Sequence, residues 1–355
     1  MIPDSTITRQ WVGKRDVNFN GRLPTIGTTM NIFDPIYGHW TLHEPVLHDL
    51  LMSDAVKRLH GVLQHGITGL VGITAPISRY DHSLGAMLLV RQLGGSLAEQ
   101  IAALLHDVSH TAFSHVIDYV FDDHDGQSYH DEKKAWYVAQ TDLPAILHHH
   151  GFGWRELVDE ARFPLLEQPS PRLCADRLDY FLRDAEPLGL ATAAEIAAVL
   201  ADLVVVNGRI ATQTIATARW LGETFMAADD ASWSNFREVG LYELTARAIR
   251  RGLSLGVVSE ADLWQTDAVL WQKLHAANDW ALQELLVQVS PATRFVWDEV
   301  APTFWVSTKL RAIDPDVVGE NGRLLPLSTL DPGFARRRQY YLQSKAGKWP
   351  MRVDY

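Results

Sequence analysis

The run Ala102-Ala103-Leu104-Leu105-His106-Asp107-Val108-Ser109-His110-Thr111-Ala112-Phe113-Ser114-His115-Val116-Ile117-Asp118 sets titratable side chains in an apolar frame. Burying such groups without partners is costly, so they need one another or a ligand. Read as one helix, the run places His106 and His110 four apart and Asp107 and His110 three apart, facing a common cavity. Neutral imidazole with carboxylate is a donor set for borderline-to-hard divalent ions, and manganese, iron, nickel, cobalt, zinc and magnesium all stay open. Two further segments offer ligands. Ser78-Arg79-Tyr80-Asp81-His82-Ser83-Leu84-Gly85 puts His82 in the first turn of a helix, and Cys174-Ala175-Asp176-Arg177-Leu178-Asp179-Tyr180-Phe181-Leu182-Arg183-Asp184 opens another. His82, His106, Asp107 and Asp176 thus become available from three helices. In the last helix Asp176, Asp179, Tyr180, Arg183 and Asp184 fall on one polar stripe.

The elements that must position these groups are mostly helical. Residues 23–45 read as a short hairpin around Asp34-Pro35 and Tyr37-Gly38, followed by a helix from Pro45 to Gln64. Gly66 to Gly72 reads as a small strand pair. Helical periodicity covers Ser78–Leu93, Ser96–Phe121 and Asp131–His149, then Pro171–Glu186, stopped by Pro187 and Gly189. Ala193–Val206 and Ile215–Ala228 read as amphipathic helices separated by a turn at Asn207-Gly208, with more helices to Val289. The expected fold class is all-α, mainly helical, with small β-hairpins near the N-terminus. Residues 23–190 form the catalytic core, and residues 191–355 form a mainly helical region packed on it, with a basic C-terminal tail.

A chain of 355 residues with 47% hydrophobic content can bury a large core. Its net charge of -11 disfavours a general nucleic-acid or membrane binder, though a local basic pocket can still hold a phosphate. The single cysteine, Cys174, excludes an intrachain disulfide and a thiolate zinc cluster, and suits a reducing cytosol. The first thirty residues lack a secretory pattern, and the uncharged stretch His60–Ser78 is broken by glycines and Pro76, so a cytoplasmic, membrane-free protein is expected. Arg336, Arg337, Arg338, Lys345, Lys348 and Arg352 form a run without acidic residues, read as a solvated or subunit-contact segment. The pairs Asp122-Asp123 and Asp229-Asp230 read as solvated helix ends.

The order H, then HD, then D, with these flanks, resembles the HD phosphohydrolases, and especially the HD-domain deoxynucleoside triphosphohydrolases. The resemblance spans Asn31 to Asp184. It begins with Asp34-Pro35-Ile36-Tyr37-Gly38-His39 and continues through Arg58-Leu59, Gln64, Arg79 to Gly85, His106 to Asp118 and Asp176 to Asp184. It implies one divalent metal held by His82, His106, Asp107 and Asp176, with a second magnesium ion brought by the nucleotide as an option. It further implies that His110 and His115 contact the phosphates, that Asp118 orients His115 as a proton donor, and that His130 helps nearby. Arg79, Arg177 and Tyr180 match positions that grip phosphates. Gln64 and Asp184 match positions that bind the sugar 3′-hydroxyl, although His65 stands where the resembling enzymes tend to carry an apolar residue. A nucleotide substrate and a homo-oligomer are implied as well; Met52, Lys57 and His60 do not match an activating guanine-nucleotide site.

The expected function is therefore hydrolysis of a deoxynucleoside triphosphate to deoxynucleoside and triphosphate. The alternatives are a nucleotidase or phosphomonoesterase on a small phosphate ester, a dinuclear-iron HD-type oxygenase drawing on His148, His149 and His150, and a non-catalytic nucleotide-binding protein.

Overall fold

The computed structural model describes residues 29–354, so the part of the expected hairpin and core before residue 29 lies outside the described residues. Helix accounts for about 53% and strand for 12%. The chain is mainly helical but not all-α, because two small sheets in the second half join the N-terminal hairpin.

That hairpin pairs Met30–Asp34 with Gly38–Leu42. Its turn is held by Asp34, whose Oδ1 accepts from Ile36 N at 2.8 Å and Tyr37 N at 3.1 Å. The expected Pro45–Gln64 helix breaks at Met52-Ser53 into Pro45–Leu51 and Asp54–Arg58, with Ser53 capping the second piece. The segment after Gly66 is not a strand pair but one helical turn, Ile67–Leu70. Gly66 is required there: its φ is +52° and a Cβ would sit 2.3 Å from the Phe113 carbonyl oxygen.

Ser78 and Asp81 form a capping box that starts the helix Arg79–Gln92, and Ser96 caps Leu97–Leu105. The expected helix Ser96–Phe121 is wrong in its middle: it stops at His106 and resumes only over Val116–Val120. Phe113 and Ser114 adopt left-handed φ values of 61° and 51°, which no helix accommodates. Tertiary bonds replace the helical ones. Ala112 N donates to Leu263 O at 2.8 Å, Phe113 N donates to Asp267 Oδ1 at 2.7 Å, and Arg58 donates to Val108 O at 2.9 Å and His110 O at 2.7 Å. Asp131–His149 likewise divides into Tyr129–Val138 and Leu143–His149. The helix opened by the Asp176 segment runs Ala175–Ala185.

In the second half, Ala193–Asp202 is helical but Leu203–Val206 is a strand paired with Arg209–Thr212. Asn207 and Gly208 both take positive φ, 52° and 73°, the turn that joins strands and not helices. This hairpin extends into a sheet with Asp316–Val318 and Leu324–Pro326, and a second sheet places Trp349–Asp354 between Arg294–Trp297 and Phe304–Val306. Helices Ile215–Ala228 and Phe236–Leu255 lie between. One buried cluster joins Leu42, Leu88, Leu104, Phe181 and Phe225; another joins Ile67, Phe113 and Tyr119 with Val239, Leu270 and Met351. Residues 191–355 therefore help bury the very turn that carries His110 and His115.

Candidate metal centre

His82 enters on the first turn of its helix, His106 and Asp107 leave the end of Leu97–Leu105, and Asp176 opens Ala175–Ala185. His82 Nε2 stands 3.1 Å from His106 Nε2, 3.0 Å from Asp176 Oδ1 and 3.6 Å from Asp107 Oδ2. His106 Nε2 stands 3.5 Å from Asp107 Oδ1 and 3.4 Å from Asp176 Oδ1. Donors about 2.1 Å from one ion stand about 3.0–3.4 Å apart at octahedral or tetrahedral angles; the separations among His82, His106 and Asp176 fall in that range, those to Asp107 lie just beyond it, and His82, His106 and Asp107 are close enough to hold one ion.

The tautomers make the same point. His82 Nδ1 lies 2.7 Å from Asp179 Oδ2 and His106 Nδ1 lies 2.7 Å from Ala103 O, both acceptors, so each ring carries its proton on Nδ1. The two Nε2 atoms then face each other beside two carboxylates, an arrangement that calls for positive charge, from a proton in the free site or from a bound cation. Burial opposes the charged form of His106, yet Asp107 and Asp176 outweigh it and push the ring up to about 10. Burial likewise opposes ionisation of Asp107, but Arg79 and His106 hold it well below the usual carboxylate range.

A chain of ion pairs behind the quartet aims His82. Arg183 grips Asp179 through Nε at 3.1 Å and Nη2 at 2.8 Å, and Nη2 also reaches Asp34 Oδ2 at 3.0 Å. The N-terminal hairpin thereby orients a ligand through Asp34, Arg183 and Asp179. This gives the Asp34 turn a physical role in the site.

Next to Asp107 the turn gathers three further histidines. His110 Nε2 lies 3.2 Å from Asp107 Oδ1, and the His110 ring stacks on His130 at 3.8 Å between centroids. His115 caps the short helix and points Nδ1 at Asp118 Oδ2, 3.1 Å away, while Asp118 Oδ1 accepts from Tyr129 N. Burial lowers His110 and His115 well below the ordinary imidazole value and His130 to about 3, so all three rings are neutral in the free site. His110 Nδ1 and His130 Nδ1 have no partner among the described residues.

A model of the HD domain matches residues 79–184, which contain the whole quartet. The metal-dependent phosphohydrolase cns2 of Cordyceps militaris is 38% identical over 88% of this chain and 92% of its own length. The chain belongs to the HD-domain metal-dependent phosphohydrolases. The protein YdhJ of Bacillus subtilis is 39% identical over 81% of this chain and 88% of its own length. The deoxynucleoside triphosphate triphosphohydrolase SAMHD1 of Danio rerio is 28% identical over 48% of this chain and 36% of its own length. The fold matches a solved structure described as a phosphohydrolase from Bacteroides thetaiotaomicron, with a TM-score of 0.65, 17% identity and coverage of 92% of this chain and 99% of that one.

In this HD phosphohydrolase the quartet opens onto a cavity of about 420 Å³. Gln64, Arg79, Arg177, Tyr180, His110, His115 and His130 line it. Two of these are already engaged. Arg79 donates to Asp107 at 2.6 Å and to Ser114 at 2.9 Å, and Arg177 donates to Arg172 O at 2.6 Å and Glu167 at 3.3 Å. Asp184 departs from its expected place. It does not line the cavity: His65 Nε2 lies 2.8 Å from its Oδ1, and Trp233 Nε1 donates to its Oδ2 at 2.8 Å. Each oxygen already has one protein partner, and those partners, His65 and Trp233, are residues that line the cavity. His148, His149 and His150 do not line the cavity, and His150 pairs with Asp49.

Sequence reasoning missed the residues that reach the cavity from the second half. Lys309 and Arg311, on the segment after Phe304–Val306, add two cations to its wall, and Phe225, Trp233, Tyr242 and Ile313 add an apolar side. Lys309 donates to Gly126 O and Arg311 to Gln127, tying this segment to the loop before His130. Glu167 also lines the cavity, and burial together with neighbouring Asp176 raises it to about 7. Asp229 is not solvated as expected but fully buried, and its Oδ2 accepts from Tyr341 at 2.8 Å, Ser234 at 2.9 Å and Arg311 N at 3.2 Å. Of the basic C-terminal run, Arg336, Arg337 and Lys348 are exposed, and the other three make contacts within the molecule. Arg338 holds the carbonyls of Ala312 and Ile313, Lys345 pairs with Asp230, and Arg352 with Asp298. Among the described residues no helix is long and apolar enough to cross a membrane.

Proposed function

We propose that this cavity hydrolyses the phosphate ester of a nucleotide, most concretely a deoxynucleoside triphosphate cut at its α-phosphate to give nucleoside and triphosphate. One observation carries the reading: His82, His106 and Asp107, close enough to hold one ion, share a cavity with Asp176, with the His110, His115 and His130 cluster and with the cations Lys309 and Arg311. A divalent ion in the quartet supplies Lewis acidity when bound, acidifying water and offsetting phosphate charge. The remaining work falls to side chains. His115, whose Nδ1 faces Asp118, leaves Nε2 for the departing oxygen, and it can give that oxygen a proton once the entering phosphate charge favours the protonated ring. His110 and His130 line the same cavity and become donors to phosphate oxygens on the same protonation, while Lys309 and Arg311 offset the anionic charge further along. The likeness to the deoxynucleoside triphosphate triphosphohydrolase SAMHD1 supports the nucleotide class.

The test is a matrix of divalent ions against ribo- and deoxynucleotides on metal-stripped protein, with products separated chromatographically. Release of triphosphate supports the proposal. Release of orthophosphate supports the second reading, a phosphomonoesterase, in which Asp184 keeps to His65 and Trp233.

The role of Asp118 makes a separate expectation. Burial raises this carboxyl to about 6, with His130 opposing the rise. Protonation below that pH removes the anionic acceptor for His115 Nδ1, so kcat falls as pH drops through about 6. Asp118→Asn should lower kcat by about 10²- to 10⁴-fold and erase that acidic limb, leaving KM nearly unchanged. A retained limb in the variant assigns the titration elsewhere.

A further inference from the structure

We infer that Trp233 is the wall against which the flat ring of the substrate lies, and that Asp184 and His65 are positioning residues acting through it. This rests on the reading of the cavity as a nucleotide site and names a determinant of its specificity. Trp233 lies in a π-helical turn, Asp229–Trp233, a geometry that recurs at functional positions. It is half-buried, lines the cavity, and packs edge-on against Tyr180 at 4.8 Å and against Phe225 at 5.0 Å between centroids.

The indole is fixed from several directions. Its N–H donates to Asp184, whose other oxygen faces His65, and His65 Nδ1 lies 3.3 Å from Ser232 Oγ, the residue before Trp233. Buried Asp229 closes the turn through Ser234 and Tyr341, and Lys345 donates to Ser234 O at 3.0 Å. A ring held rigid at a cavity wall loses little entropy on contact with a second ring, and base-on-aromatic stacking tolerates any base. Tyr180 links this wall to the metal ligands, its ring 6.3 Å from that of His82. Gln64 on the same cavity keeps a buried Oε1 without a partner among the described residues, an acceptor for a hydroxyl or amine beside the ring. The ligand class is therefore an anion joined to a flat, hydrogen-bonding ring: metal, histidines and cations for the phosphates, Trp233 for the base.

The test separates the two ends of the ligand. Binding of inorganic triphosphate and of a panel of ribo- and deoxynucleosides is measured by calorimetry on metal-loaded protein, for wild type, Trp233→Leu, Trp233→Phe and Asp184→Asn. Trp233→Leu should weaken the best nucleoside by about 5- to 150-fold and triphosphate by less than about 2-fold. Trp233→Phe, which keeps an aromatic face, should retain most of the affinity. Asp184→Asn should weaken nucleoside binding in the direction of Trp233→Leu and leave triphosphate alone. Equal losses for both probes, an unchanged nucleoside affinity in Trp233→Leu, or a wild type that binds no nucleoside at millimolar concentration overturns the proposal. Turnover of nucleotides by wild type is scored separately. Nucleoside binding lost in Trp233→Leu without any turnover would keep the wall and discard the hydrolytic reading.

Discussion

Asp107→Ala should yield a protein without bound metal and with hydrolysis reduced at least about 10³-fold, equal to roughly 4 kcal/mol of barrier. Asp107 faces both histidine nitrogens of the quartet and His110 at once, so its removal opens the ligand set and frees the first histidine of the phosphate cluster. It also strands Arg79. That guanidinium is buried, and its Nη1 lies 2.6 Å from Asp107, so the variant should lose about 3–5 kcal/mol of stability. Asp107→Asn keeps the shape and is expected to lose metal while remaining better folded. Elemental analysis of metal per chain, a melting curve and the nucleotide assay together decide the matter. Full activity in Asp107→Ala would place the chemistry at another site.

Gly85→Ala should be nearly as damaging, although Gly85 carries no functional group. It sits in the helix Arg79–Gln92, one turn after His82, where a Cβ would fall 2.0 Å from both Arg183 Nη2 and Asp179 Oδ1. Those atoms belong to the chain Asp34, Arg183, Asp179 that aims His82. Forcing them apart costs about 1–3 kcal/mol as overpacking, and misaligning an outer-shell partner lowers metal affinity by about 10- to 100-fold. Metal titration of the variant reads the second effect directly. An alanine that leaves metal affinity at the wild-type value would show that the His82 ring is fixed by something other than Asp179. Arg183→Met serves as the companion, since it removes the link to Asp34 without adding volume at Gly85.

The candidate metal ligands were legible because each segment's spacing is local. His106 and Asp107 are neighbours, His82 follows a Ser78 cap, and Asp176 opens a helix whose polar stripe repeats with the helical period, so residue types at short intervals already describe one face each. The resemblance also pointed to His130, which lines the same cavity, and to Asp118, which lies behind His115. The backbone between them was not legible: Phe113 and Ser114 hold left-handed geometry against their own preferences because Asp267, more than 150 residues away, and Gly66 leave room for nothing else. Long-range contacts also decided what each polar group is free to do. Asp184 looks from its helix like a substrate ligand, and only the arrival of His65 and Trp233 from other parts of the chain gives each of its oxygens a protein partner. Lys309 and Arg311 carry no periodic signal and sit on an irregular segment, so their charge enters the cavity only after Phe304–Val306 is placed in its sheet and Arg338 ties down Ala312 and Ile313. Residue type and local spacing thus determined the chemistry of the centre, through helical periodicity and capping. Which groups are free for a ligand, and what shape of ligand they meet, was decided by tertiary packing, because a donor's or acceptor's availability depends on partners distant in the chain.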